Sequence, residues 1–361
     1  MSWVEPAGDQ HMLKYAVLKN GRWQREGIVT QGGGWFVNWS DFPSVVAVDD
    51  AFWLAHWLVK QPGGGTYDYD IALAISNDAG MSWRPIGSPH RDGKAAEHGF
   101  VSIFPDRGAA GIIWLDGRDY VSLPAQAGHE AHHAGHAGNF ALMYTRVLAD
   151  GSMEPEQVVD GNTCTCCWTA VTAVPDGTLA AWRGRTDDEI RDNRVARMVD
   201  GVWAESQPLG GEGWKIAGCP VNGPALAARA SNVLAAWFTA EGERPRVRAA
   251  ISHDGWRVFS TPVDLDDQLP LGRIDALWLD EERALVSWMT NPDGKTSRLV
   301  ARIIDRQGQA GEVSTLGSLS GGRDSGVPQM VSEGDHLYLA WTRPEPAFGI
   351  EIGRIPLDRM R

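Results

Sequence analysis

Short apolar segments that close on tryptophan recur along the chain: FWLAHW to Trp57, GIIW to Trp114, LAAW to Trp182, LAAW to Trp237, LVSW to Trp288 and LYLAW to Trp341. By these residue numbers, successive tryptophans stand 57, 68, 55, 51 and 53 residues apart. Another apolar segment begins fourteen residues before each, at Pro43, Phe100, Trp168, Gly223, Ile274 and Val327. After each Trp a polar loop rich in Gly, Pro and Asp leads into an alternating segment such as YDIALAIS or FALMYTRVL. Alternation at period two over this length predicts strand, and no long stripe of period 3.6 competes with it.

A sheet of about four strands cannot bury both of its faces alone, so units repeated at this spacing must stack on their neighbours. The pattern predicts an all-β fold: a six-bladed β-propeller forming a single domain over residues 1–361, with four antiparallel strands per blade. The segment KYAVLKNGRWQREGIVTQ precedes the first full unit. It is expected to complete the last blade, so that N- and C-terminal strands close the ring. The recurring tryptophans are expected to fill the space between blades.

Composition adds exclusions. A net charge of -13 offers no basic field for nucleic acid or an anionic membrane surface, and no apolar run approaches a membrane span. The start Met1-Ser2-Trp3 does not read as a signal peptide. A trimmed leader with a periplasmic or secreted location, or the cytoplasm, is consistent with it. The 42 glycines and 17 tryptophans suit short strands joined by tight turns.

Three of the four cysteines lie in Cys164-Thr165-Cys166-Cys167, and the fourth is Cys219. The repeat places the four residues before each innermost strand on one face: Trp39 to Phe42, Ala96 to Gly99, Cys164 to Cys167, Cys219 to Asn222, Pro270 to Arg273 and Arg323 to Gly326. On that alignment Cys219 meets the C-x-C-C loop, and His98 flanks it. Thiolates two apart on extended backbone point the same way and select Cu(I) or zinc. A disulfide stapling Cys219 to Cys164 or Cys167, or free thiols, are the alternatives. A second metal-capturing loop is read in HEAHHAGH, with His129, His132, His133 and His136. Its formal H-E-x-x-H match lacks the stable helix that zincin chemistry needs.

The same face receives Arg183, Arg185, Glu189 and Arg191 from RGRTDDEIRDN, with Arg273, Arg323 and Asp41 from other loops. Mixed charge of this kind either fixes loops by ion pairing or clamps a substrate carboxylate through guanidinium forks.

Ser76-Asn77-Asp78-Ala79-Gly80-Met81-Ser82-Trp83 resembles the Asp-box turn, S-x-D-x-G-x-x-W, of sialidase-type propellers, and Ser252-His253-Asp254-Gly255-Trp256 resembles a degenerate copy. With CTCCWTA, RGRTDDEIRDN and GCPVNGPAL, the chain resembles bacterial sialidase-like propellers commonly labelled exo-alpha-sialidase. That resemblance implies the propeller fold and an extracytoplasmic setting. A working sialidase would need an arginine triad, a Tyr activated by Glu, and an Asp acid/base. Arg354-Ile355-Pro356 follows Gly353 at the far C-terminus and is not the family's N-terminal Phe-Arg-Ile-Pro motif. Tyr67, Tyr69 and Tyr120 have no evident Glu partner in the sequence, and Tyr338 falls within a strand. The leading expectation is therefore a copper- or zinc-binding propeller with a site of Cys164, Cys166, Cys167, Cys219 and His98, open to redox chemistry. The alternative is an exo-sialidase or other glycan-binding or glycoside-hydrolysing propeller built on the arginine cluster.

Overall fold

The structure is a computed structural model that describes residues 1–122, 136–343 and 349–360. Its described residues form strands, short connections and three single-turn 3-10 segments. Seven sheets of three to five antiparallel strands follow one another along the chain. The first is Ser2–Ala7, Gln10–Lys19 and Arg22–Gly32; the second is Ser44–Ala47, Trp53–Lys60, Tyr69–Ser76 and Arg84–Gly87. The third is His98–Asp106, Ala109–Asp116, Phe140–Val147 and Gln157–Thr163, and a small hairpin, Val121–Ser122 with His136–Ala137, interrupts it in sequence. The fourth holds Ala170–Val174, Gly177–Arg183 and Asn193–Val199, with Val202–Trp203 and Gln207–Leu209 both paired to its third strand. The fifth is Ala225–Arg229, Asn232–Thr239, Arg246–Ser252 and Val263–Asp266, and the sixth Pro270–Trp278, Arg283–Thr290, Ser297–Asp305 and Ala310–Leu319. Gln329–Glu333, His336–Arg343 and Gly349–Pro356 make the seventh.

The fold is thus an all-β propeller of seven blades, which corrects the six expected from the tryptophan repeat. The missed blade is the N-terminal one. Its strands pair with each other, Ser2 opposite Tyr15 through Ala7 opposite Gln10, rather than extending the last sheet. Lys14 ties its three strands together by ion pairs to Glu5 at 3.3 Å and Glu26 at 2.5 Å. No segment of this blade ends in the recurring Trp, so the repeat count skipped it.

Two compact units divide the chain: Met1–Ala16 with Glu26–Thr165, and Val17–Arg25 with Cys166–Arg361. In the first, Tyr15 donates its phenol to the Gly80 carbonyl at 2.7 Å, and the Val45 N–H donates to Ser2 Oγ, joining the first two sheets. In the second, the hairpin tip Val17–Arg25 reaches the last sheet, where the Asn20 N–H donates to Glu333 Oε1 at 2.8 Å. All six recurring tryptophans sit on the second strand of their sheet, and Trp114, Trp182, Trp237 and Trp288 are wholly buried. Trp288 packs with Trp278, Leu234 and Val247, so it bridges the sixth sheet to the fifth. Full burial of such a side chain is worth about 1.5–3 kcal/mol or more, which makes this position a main source of inter-sheet cohesion.

Turns outside the sheets follow local chemistry. Asp78 Oδ1 accepts from Ser76 Oγ at 2.7 Å and from the Ser82 N–H at 2.8 Å, and Asp254 Oδ1 accepts the N–H groups of Trp256, Arg257 and Val258. Side-chain oxygens capping their own turn in this way spare the loop a strand partner. No helix among the described residues is long and apolar enough to cross a membrane.

Candidate functional site

The loops that enter the second and third sheets carry Asp41 and Glu97, and Tyr69 opens the third strand of the second sheet. These three side chains meet in the first unit. Tyr69 Oη lies 2.8 Å from Asp41 Oδ2 and 3.0 Å from Glu97 Oε1, and Asp41 Oδ1 accepts the Phe100 N–H at 2.8 Å. Asp41 and Tyr69 are buried, while Glu97 is half-buried and forms the end of the chain of groups nearer solvent. Gly99 is required here, because a Cβ at that position would stand 2.1 Å from Asp41 Oδ2. Phe36 stacks on the Tyr69 ring at 4.1 Å, and the exposed Tyr67 meets Phe36 edge-on at 6.1 Å.

Burial dominates the electrostatics. It pushes the Asp41 carboxyl up to about 7 against the opposing hydrogen bonds from Tyr69 and Phe100. Burial likewise raises Glu97 to about 8, with the charge of Asp41 adding to the effect. The Tyr69 phenol is raised well above its usual value, first by burial and then by its two carboxyl neighbours.

His98 begins the third sheet and is fully buried, packed on His90 among Asp70, Asp92 and Asp116. The histidine loop tells nothing further: His129, His132 and His133 lie outside the described residues, as does the side chain of His136.

The arginines belong to the second unit, and most are committed to protein partners. Arg183 is 1% exposed; it donates to the carbonyls of Asn222, Arg191 and Phe238 at 2.6–3.1 Å and lies over the Trp214 ring. Arg273 is buried and donates to Ser325 Oγ and to the carbonyls of Gly321, Gly322 and Gly326. Glu189 holds both Arg185 and Arg191, the latter at 2.8 Å. Arg323 is exposed, in a 3-10 turn spanning Arg323–Ser325.

Among the cysteines, Cys166 and Cys219 form a disulfide across a Cα–Cα distance of 6.1 Å, which brings Cys219 to the C-x-C-C loop in the pairing with Cys166 rather than with Cys164 or Cys167. Cys164 and Cys167 are buried and lie outside this disulfide, and the Asn222 N–H donates to Cys167 Sγ at 3.4 Å. The sulfurs of Cys164, Cys166 and Cys167, neighbours in one loop, lie within 4.8 Å of one another, a group of the kind that could hold a metal ion.

Glu97 is the residue that sequence reasoning missed. It stands directly before His98 in a loop already placed on the functional face, yet no spacing rule links it to Tyr69. Only the pairing of strands does so: Tyr69 bridges Glu97 across the two sheets, and its N–H donates to the Ala96 carbonyl at 3.1 Å.

No family model matches this chain, and no curated protein matches it in sequence. Solved structures match its fold. A polysaccharide lyase of family PL25, an ulvan lyase, superposes with a TM-score of 0.55 at 12% identity over 98% of this chain and 91% of its own. The Hadza microbial sialidase Hz136 gives 0.54 at 12% identity, over 98% and 75%. Trypanosoma rangeli sialidase gives 0.50 at 13% identity over 99% of this chain, which spans only 59% of that enzyme's length. At these identities the likeness is one of fold: the chain shares a sialidase-like propeller architecture with carbohydrate-active enzymes.

Proposed function

We propose that the protein is a glycan-cleaving enzyme whose acid–base centre is Glu97, Tyr69 and Asp41. One observation carries this reading: the single phenol of Tyr69 is within hydrogen-bond distance of two carboxyl groups. A phenol has one proton to donate, so the second contact needs a proton on a carboxyl. Asp41 already accepts from a backbone N–H, which favours its charged form and assigns the extra proton to Glu97. The resulting chain runs from Glu97 through the Tyr69 phenol to Asp41. At its half-buried end Glu97 can give its proton to the leaving sugar oxygen as the C–O bond breaks, while a water adds its hydroxide to the sugar carbon and returns its proton to Glu97. The Tyr69 hydroxyl, held by Asp41, meanwhile steadies the Glu97 carboxylate.

Two further features support the reading. The exposed Tyr67, edge-on to Phe36, gives the apolar C–H faces of a sugar ring a surface to stack on. Proteins of this fold include a sialidase and an ulvan lyase, both acting on sugar polymers or conjugates. The arginine clamp is not needed: Arg183 and Arg273 bind backbone carbonyls.

The test is a panel of sialylated glycans, arabinans and uronate-containing polysaccharides, scored for new reducing ends and for unsaturated products. Turnover of at least one class is expected, and Glu97→Gln should lower it by about 10²–10⁴-fold without loss of folding. No turnover of any class, or a Glu97→Gln enzyme within a few-fold of wild type, would remove the proposal.

A further inference from the structure

Behind Tyr69 the first unit buries a group of charges that the acid–base chain does not use. His90, from the loop before the third sheet, and His98 stack face to face, with centroids 3.7 Å apart and planes within 3°. One edge of this pair faces Asp70, whose Oδ1 is 3.6 Å from His90 Nε2 and 3.6 Å from His98 Nδ1. The opposite edge faces Asp92, whose Oδ1 is 3.3 Å from His90 Nδ1 and 3.4 Å from His98 Nε2. The side chains of His98 and Asp92 are 0% and 6% exposed. Neither His98 Nε2 nor Asp92 Oδ1 has a hydrogen-bond partner. Asp116 cannot relieve them, because Arg118 holds both of its oxygens at 2.6–3.0 Å.

Tautomer logic makes this arrangement unstable as it stands. His98 Nδ1 is 3.3 Å from the Tyr69 carbonyl, and donating its proton there leaves the Nε2 lone pair facing the lone pairs of Asp92. His98 Nε2 is then left without a donor, at about 1–3 kcal/mol, while Asp92 Oδ1 keeps only the His90 Nδ1 edge at 3.3 Å and Arg118 Nη2 at 4.0 Å. A cation at the Asp70 edge would reverse the tautomer. His98 Nδ1 would give its lone pair to the ion, Nε2 would carry the proton, and Asp92 would accept it. His90 already has the tautomer this needs: its Nε2 lone pair, at the Asp70 edge, accepts the Ile71 N–H at 3.3 Å, a bond the ion would replace, and its Nδ1 faces Asp92.

From this we infer a divalent-cation site, of the zinc class, with Asp70, His90 and His98 as ligands and Asp92 as the carboxylate behind both imidazoles. The three ligand atoms lie within 4.8 Å of one another. Ligands about 2.1 Å from a tetrahedral ion stand roughly 3.4 Å apart, close to the two separations from Asp70. A far-side carboxylate shared by ligating histidines is the usual device for fixing their tautomer and raising their basicity. Gln61 orients Asp70 through a 2.6 Å bond to the same Oδ1. Two nitrogens and one oxygen, without a thiolate, suit zinc and its neighbours better than Cu(I). Asp70 is 41% exposed, which gives the ion an entry path and leaves a coordination position for water. Loading would splay the two parallel rings so that both lone pairs reach one ion.

The experiment is zinc titration of chelator-treated full-length protein by calorimetry, with elemental analysis and the visible spectrum of the cobalt-substituted form, all without glycan. One zinc per chain is expected, with cobalt ligand-field bands and no thiolate-to-cobalt charge transfer. Asp92→Asn should weaken zinc by about 10–100-fold, and Asp70→Asn combined with His90→Gln should abolish stoichiometric binding while thermal unfolding of the metal-free protein stays cooperative. Cys167→Ser should leave binding unchanged. Failure of the folded wild type to bind zinc would overturn the site and mean that a second proton on His98 satisfies Asp92 instead. Binding that survives the double variant, or is lost in Cys167→Ser, would overturn it as well. Because binding is read directly, this outcome is independent of whether glycan cleavage is found.

Discussion

Arg183 in the second unit and Asp41 in the first are both charged side chains removed from water, yet their surroundings differ in kind. Every nitrogen of the Arg183 guanidinium donates to a backbone carbonyl, so the group is satisfied by atoms that cannot change protonation. Asp41 instead shares a phenol with a second carboxyl, and nearby in the same unit His98 Nε2 and Asp92 Oδ1 lie 3.4 Å apart, neither with a hydrogen-bond partner. A buried charge closed off by carbonyls is a fastening, whereas buried groups that face other titratable groups hold a proton or ion that can be exchanged. That contrast, rather than the count of charges on a face, separates architecture from chemistry in this molecule.

The contrast can be broken by substitution. Arg183→Ala strands the carbonyls of Asn222, Arg191 and Phe238, and should cost about 3–5 kcal/mol in chemical denaturation. The half-buried Arg185 should cost no more than about 1 kcal/mol when replaced by Ala. A loss below about 1 kcal/mol for Arg183→Ala would show that it is not a fastening.

Asp41 should behave differently, through pH. Its folded value of about 7 lies above the ordinary 3.8. Below 3.8 both states hold the proton, and its stabilising effect is complete. Between 3.8 and 7 the unfolded carboxyl ionises first, so stability falls by about 1.4 kcal/mol per pH unit and levels off above 7. Asp41→Asn keeps the shape of the group and removes its titration. The stability difference between wild type and Asp41→Asn should therefore slope by up to about 4 kcal/mol from pH 4 to pH 7. A flat difference would mean that Asp41 is an ordinary ionised carboxylate.

Much of the architecture was written in the tryptophans. Trp57 to Trp341 mark the second strand of six sheets, because one bulky residue per unit is what inter-sheet packing demands. The N-terminal blade carries no such mark, and its strands are joined by the ion pairs of Lys14 instead, so the count stopped one short. The contact of Cys219 with the C-x-C-C loop followed from the repeat, but its partner, Cys166, did not, since adjacent thiols differ only in which side of the backbone they leave. The arginines illustrate a deeper limit. Sequence shows that Arg183 and Arg273 are cationic, but not that backbone carbonyls already occupy them. Glu97 and Asp92 were illegible for the complementary reason: their partners, Tyr69 and His98, reach them only once strands have paired and loops have folded back.

The most direct measurement is glycan turnover by Tyr69→Phe beside wild type, with unfolding temperature recorded for both. Phenylalanine keeps the ring that stacks on Phe36 and deletes only the hydroxyl joining Glu97 to Asp41. If that hydroxyl carries the chemistry, turnover should fall by about 10²-fold or more while cooperative folding is retained. A Tyr69→Phe protein that cleaves the same glycan at the wild-type rate would contradict the assignment and leave the Asp41–Tyr69–Glu97 cluster as a structural network.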